Sequence, residues 1–174
     1  MEDPDWQRTV QPSSGRASER QRGRAVSKPT AFWDASALVP LCIQEAATKQ
    51  VRQHLRRFAP VVWWGSIVEV HSAIARLHRE AAITPSERDG ALARLTLLGQ
   101  CWREILPDDA LRNLAETLLD TYTLTAADSL QLAAALIWCQ QRPGGKTFIC
   151  GDQRLSDAAK SAGFSVAELS KRTR

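Results

Sequence analysis

From residue 30 onward, short unbroken apolar runs alternate with longer stretches of helical periodicity. Ala31-Phe32-Trp33 has no polar interruption and closes at Asp34, as a strand buried on both faces does. Ser36 to Ile43 and Glu45 to Phe58 predict two helices, the second with Val51, Leu55 and Phe58 at helical spacing. Ala59-Pro60 stops that helix, and Val61 to Trp64 predicts a second strand. Its adjoining tryptophans cannot share one face, so the run asks for burial on both. Gly65-Ser66 opens a helix running to about Arg79. Thr84, Pro85 and Glu87 are the N-cap, first position and capping-box acid of the next helix.

The second half repeats the rhythm. Cys101 to Leu106 predicts a third strand, closed by Pro107-Asp108. Helices follow over Asp109 to Tyr122 and Ala126 to Gln141. After the Pro143-Gly144-Gly145 turn come a fourth strand at Thr147 to Cys150 and a short helix from Gln153 to Ser161. Gly163 caps that helix, and Phe164 to Val166 predicts a fifth strand. Strands alternating with helices define an α/β domain around a parallel sheet, with ligands expected at the carboxyl ends of its strands. Residues 1–29 lack this periodicity and read as a disordered basic arm, either an unstructured extension or a segment that helps to hold RNA.

The 174 residues, 44% hydrophobic and 24% charged, suit one soluble domain with a sizeable core. The longest apolar stretch, Leu132 to Cys139, falls short of the roughly 20 residues that span a bilayer. No secretory signal is recognisable, so the expectation is a cytoplasmic protein with no membrane partner. Cys42, Cys101, Cys139 and Cys150 form no CxxC pair and are expected as buried free thiols. The net charge of +4 permits a polyanionic partner without demanding one.

Four acids stand where the fold pattern places a site. Asp34 follows the first strand and Asp152 the fourth, while Glu69 and Asp128 each lie three residues behind Ser66 and Thr125 at a helix start. Each has an ordinary explanation. Asp34 and Asp152 fit helix N-caps, and Ser66-Ile-Val-Glu69 and Thr125-Ala-Ala-Asp128 fit capping boxes. Gathered on one rim, however, like charges about 4 Å apart repel by about 4 kcal/mol. Such a cluster needs a cation or raised pKa values, and an all-oxygen set suits Mg²⁺ or Mn²⁺ better than zinc. Residues 30–174 hold 17 basic residues to surround that acidic pocket. This is the charge arrangement that metal-assisted phosphodiester cleavage requires.

Four segments in order, Asp34-Ala-Ser-Ala-Leu-Val, Ser66-Ile-Val-Glu69-Val-His-Ser-Ala-Ile-Ala-Arg76, Ala127-Asp128-Ser-Leu-Gln-Leu-Ala-Ala and Gly151-Asp152-Gln-Arg-Leu, closely resemble the PIN-domain ribonucleases. Among these the match is best to the VapC-type toxins of bacterial toxin–antitoxin pairs. The resemblance covers about residues 31–168. It implies a three-layer α/β/α domain with a five-stranded parallel sheet over residues 30–174, cutting RNA with Mg²⁺ or Mn²⁺. It implies catalytic roles for Asp34, Glu69, Asp128 and Asp152, with Asp34, Asp128 and Asp152 holding the metal and Ser36 supporting Asp34. It also implies a cognate antitoxin and a homodimer. One residue departs from the family: Cys150 stands where a Thr or Ser often precedes the last acid.

Arg76, about two turns beyond Glu69, and Arg154, beside Asp152, are candidates to meet RNA phosphates. Two other readings stay open. A catalytically silent RNA-binding or assembly module would share the fold but have no need of all four acids. A haloacid-dehalogenase-like phosphatase would put a second acid two residues after Asp34, where Ser36 stands.

Overall fold

The structure, a computed structural model, describes residues 28–169; of the expected arm, residues 1–27 lie outside it. Strands β1 (Thr30–Trp33), β2 (Ala59–Trp63), β3 (Arg103–Ile105), β4 (Thr147–Cys150) and β5 (Ser165–Glu168) pair in parallel in the order β3-β2-β1-β4-β5. The first strand of the chain is therefore the central one. Its register is set by Phe32, which lies opposite Val61 on one side and Phe148 on the other.

Seven helices cover this sheet: α1 (Ala35–Cys42), α2 (Thr48–Arg57), α3 (Ser66–Arg79), α4 (Pro85–Gly99), α5 (Asp109–Thr121), α6 (Ala126–Trp138) and α7 (Gln153–Ser161). Alternate strand residues feed two cores. Phe32, Val61, Trp63 and Phe148 pack with α5, α6 and α7, while Ala31, Trp33, Val62 and Ile149 pack with α1 to α4. Burial on both faces is why these strands read as unbroken apolar runs. The result is the expected three-layer architecture.

Several boundaries differ from the sequence reading, each for a local reason. Helix α2 begins at Thr48 rather than Glu45, because the Thr48 hydroxyl accepts the Glu45 N–H at 2.8 Å and donates to the Pro40 carbonyl at 3.0 Å. Helix α6 ends at Trp138, short of Gln141, because Gln140 and Gln141 take φ of 53° and 55°. Strand β3 is shorter than Cys101 to Leu106, which leaves Cys101 exposed, unlike the other three thiols. Trp64 lies one residue past β2 and is 48% exposed, so the tryptophan pair is split between core and surface.

Gly163 does cap α7. With φ at 105° it donates its N–H to the Lys160 carbonyl while Phe164 donates to Ala159, which turns the chain into β5. Among the described residues no helix is long and apolar enough to cross a membrane.

Candidate active site

Asp34 leaves β1 still tied to the sheet, its N–H donating to the Ile149 carbonyl at 3.0 Å. Its carboxylate is 4% exposed and caps α1. Oδ2 collects three donors: the Ser36 N–H at 3.0 Å, the Ser36 hydroxyl, and the Cys150 thiol at 3.6 Å. Ser36 Oγ itself accepts the Gly151 N–H at 2.8 Å, which leaves the hydroxyl proton for Asp34. A Cβ on Gly151 would come within 3.3 Å of that oxygen, so a glycine lets the two loops close up. Burial raises the Asp34 pKa above its ordinary value, the Ser36 and Cys150 hydrogen bonds oppose that, and the charge of Asp128 adds to the rise.

Glu69 comes from the first turn of α3 and is not part of a capping box. The N-cap is Gly65, and the Ser66 side chain turns into the core to meet Gln131 of α6. Gln131 is buried. Its amide nitrogen donates to Ser66 Oγ at 3.0 Å and to Glu69 Oε1 at 3.1 Å. The carboxylate fixes the amide orientation, since a flipped amide would set oxygen against oxygen. Burial pushes the Glu69 pKa up to about 7; the Gln131 hydrogen bond pulls against it, and the charges of Asp34 and Asp128 add to it.

The other two candidate acids are helix caps. Thr125 and Asp128 form a full capping box, with Asp128 Oδ2 accepting the Thr125 hydroxyl at 2.8 Å. Asp152 Oδ1 accepts the Leu155 N–H at 3.1 Å at the start of α7. Asp152 is joined to Asp34 through Cys150: its N–H donates to Sγ at 3.2 Å, and the thiol proton has Asp34 Oδ2 and the Asp152 carbonyl, 3.4 Å away, as acceptors. The thiol thus links the two acids. Burial, reinforced by the charge of Asp34, pushes its pKa up to about 12, so it stays protonated.

A pattern runs through all four acids. In each, the fold engages one oxygen, and among the described residues no donor reaches the other. The charge of Asp128 raises the Asp34 pKa, and the charges of Asp34 and Asp128 raise that of Glu69, so the structure brings three of the expected residues into one field. Among the described residues no group of three or more His, Cys, Asp or Glu side chains is placed to hold a metal ion together. The open oxygens suit a hydrated hard cation, which takes one or two carboxylates and keeps water on its other positions. A neutral thiol gives zinc no ligand here.

Arg76 and Arg154 are both exposed, on α3 and α7 respectively, and among the described residues neither makes an ion pair with the four acids. Gln131 and its partner Ser66 are the site residues that sequence reasoning missed. A single amide inside the run Leu130-Gln131-Leu132-Ala133-Ala134 was the available signal, because a buried polar group requires a partner.

The raised Glu69 pKa has a consequence for stability. A carboxyl that is harder to ionise in the folded than in the unfolded state stabilises the fold at low pH and loses that contribution as pH climbs from about 4.5 to about 7. Glu69→Gln removes the cost of the buried charge. In EDTA the variant should melt with wild type near pH 4.5 and above it at pH 8, by thermal scans in matched buffers. A constant difference across that range would mean that Glu69 ionises as freely folded as unfolded.

No family model and no curated protein matches this sequence. Solved structures do share its fold. FitAcB from Neisseria gonorrhoeae aligns with a TM-score of 0.55 at 14% identity, over 81% of this chain and 97% of that one. FitAB bound to the IR36 DNA fragment aligns with a TM-score of 0.55 at 14% identity, over 83% and 100%. PAE2754 from Pyrobaculum aerophilum aligns with a TM-score of 0.54 at 17% identity, over 80% and 89%. The chain therefore has the PIN-like fold that its motifs led us to expect.

Proposed function

We propose that this chain is an endoribonuclease dependent on Mg²⁺ or Mn²⁺ and acts as the toxin of a type II toxin–antitoxin pair. One observation carries the reading. Four carboxylates lie at the carboxyl rim of a parallel sheet, each fixed through one oxygen, and burial and mutual repulsion hold two of them above their ordinary pKa. Helix capping accounts for the engaged oxygens of Asp34, Asp128 and Asp152 but not for the shared field, nor for Glu69. A silent binding module has no use for that electrostatic cost.

Asp34, Asp128 and Asp152 would hold the cation, one or two of them directly through the open oxygen and the rest through its water. When bound, it would neutralise the carboxylates, lower the pKa of a water and offset charge developing on the phosphate. The protein's own part is positional and acid–base. Ser36 and Cys150 fix Asp34, and Gln131 fixes Glu69. Glu69 Oε2, on a carboxyl with a pKa of about 7, orients the attacking water and takes its proton as the new phosphorus–oxygen bond forms. The bond from phosphorus to the departing ribose oxygen breaks, and that oxygen takes a proton from solvent. Ser36 gives its proton to Asp34 and leaves no second acid for a dehalogenase-like phosphatase.

The partners follow from the same resemblance: an RNA substrate, an antitoxin that covers the acidic rim, and a second copy of the chain. At this rim Trp64, Val68 and Leu106 are 48%, 62% and 63% exposed, apolar surface of the kind that a protein partner covers.

The test is cleavage of single-stranded and structured RNA by purified protein in Mn²⁺, in EDTA, and with Asp128→Asn. Cutting that requires the metal and fails in the variant is the expected result. A folded wild type that cuts no RNA and binds no Mn²⁺ by calorimetry would sink the proposal.

A further inference from the structure

A cavity of about 320 Å³ opens beside Asp152 and plays no part in the chemistry above. It lies between α7 and the edge strand β5, with Cys150, Asp152, Gln153, Ser156 and Glu168 among its lining residues. Two elements set its walls. Glu168 is the register partner of Cys150 in the β4–β5 ladder, so both side chains stand on the sheet face that α7 covers. Gln153, Ser156 and Lys160 follow one another at three and four residues along α7, which puts them on one stripe of that helix. The stripe faces Glu168, because the Lys160 ammonium pairs with its carboxylate. The volume is at the lower end for ligand pockets and suits one nucleotide unit, not a helix or a duplex.

The polar groups of the lining decide what kind of unit it takes. Among the described residues no cation lines the cavity, and a phosphate there would meet the carboxylates of Asp152 and Glu168. A cationic ligand would have to displace Lys160, which already donates to Glu168 Oε1. What stays open are acceptors. Among the described residues no donor reaches Glu168 Oε2. Gln153 commits its amide nitrogen to Asp157 Oδ1 at 3.0 Å, which leaves it the carbonyl oxygen to offer. The Ser156 hydroxyl is taken up by its hydrogen bond with the Cys150 thiol. A neutral group rich in donors fits this lining.

We infer that the cavity between α7 and β5 takes the nucleobase next to the scissile phosphate, and that Gln153 and Glu168 select a base with an exocyclic amine over uracil. The inference rests on the ribonuclease reading above. Asp152 stands both at the acidic rim and in the cavity wall, so a strand cut at the rim has its neighbouring base at the cavity mouth. Unstacked bases of single-stranded RNA are read in this way, through hydrogen bonds to their exposed edges. The amine of cytosine or adenine carries two donors for the two acceptors, and a carboxylate is a natural acceptor for the cytosine amine. Uracil brings a single ring N–H and sets its two carbonyls against the oxygens of the lining.

The experiment measures binding of 5′-fluorescein oligocytidine and oligouridine of about 12 nucleotides to the full chain in EDTA, by anisotropy. We expect oligocytidine to bind about tenfold or more tightly than oligouridine. Gln153→Ala should bring that ratio to about threefold or less, and so should the charge-balanced pair Glu168→Gln with Lys160→Gln. Oligouridine affinity should stay within about twofold of wild type in both, because neither variant changes a contact that uracil needs. Asp109→Asn with Arg112→Gln dissolves an ion pair elsewhere and should keep the wild-type ratio. Gln153 is exposed at the first position of α7, so its variant carries the test even where the Glu168 pair melts early. Equal affinity of the wild type for the two oligomers overturns the inference, and so does a preference that survives Gln153→Ala. A preference that depends on Gln153 without cleavage of any RNA in Mn²⁺ would refute the nuclease reading and leave the base site standing.

Discussion

Asp34→Asn should abolish RNA cleavage, by about 10³-fold or more, without weakening the fold. The stability half follows from the hydrogen bonds. Every donor on the engaged oxygen, the Ser36 N–H, the Ser36 hydroxyl and the Cys150 thiol, can be met by the amide oxygen of asparagine. The amide nitrogen then takes the open side. Substitution also removes a buried charge whose ionisation is opposed by desolvation and by Asp128, so in EDTA the variant should melt at or above the wild-type temperature. The activity half follows from what asparagine lacks. It offers a donor where the wild type offers an anionic oxygen, and a loss of about 4 kcal/mol of transition-state stabilisation corresponds to about 10³ in rate. Thermal melting with a fluorogenic RNA assay reads both halves. Cleavage at the wild-type rate would remove Asp34 from the chemistry, and a collapse in melting temperature would make its role structural.

That combination shows why Asp34 was legible in sequence. An unbroken apolar run ending at an acid, followed two residues later by a hydroxyl, encodes both the central strand and the cap that closes it. Asp128 was legible for a similar reason, since Thr125-Ala-Ala-Asp128 is a capping box in sequence and in structure. Ser66-Ile-Val-Glu69 has the same spacing and does something else. Its serine lies one residue inside the helix and hydrogen-bonds across the core. Local spacing cannot distinguish these cases, because the choice depends on whether a partner on another helix competes for the hydroxyl. Gln131 is that partner, 65 residues away in the chain.

The same limit explains the remaining differences. Pairs of tryptophans read alike whether the strand continues or stops between them, and here it stops at Trp63. The end of α6 depends on two glutamines entering left-handed geometry, for which glutamine carries no signature. Periodicity records which face is buried. It does not record what a buried polar atom will meet, and in this site those meetings set the pKa values.

Gln131→Leu tests such a meeting directly and should be the most destabilising single change at the site. Leucine fits the space of glutamine but leaves Ser66 Oγ and Glu69 Oε1 without their donor. Buried acceptors left unsatisfied cost about 1–3 kcal/mol each, and the carboxylate falls at the upper end. We expect a loss of about 2–4 kcal/mol at pH 8 by urea unfolding in EDTA. The loss should depend on pH, with a sign that follows from linkage. The Gln131 hydrogen bond favours the ionised form of Glu69, so its removal raises that pKa further above about 7. At pH 5 Glu69 is protonated in either protein and only the Ser66 share of the cost remains. The penalty should therefore shrink on acidification, and Glu69→Gln should remove most of its pH-dependent part in a double-mutant cycle. Cleavage should fall with it, because a free Glu69 side chain no longer keeps a fixed place beside Asp34 and Asp128. An equal penalty at both pH values, or cleavage at the wild-type rate, would mean that Glu69 holds its position without Gln131 and that the amide serves only the packing of α3 against α6.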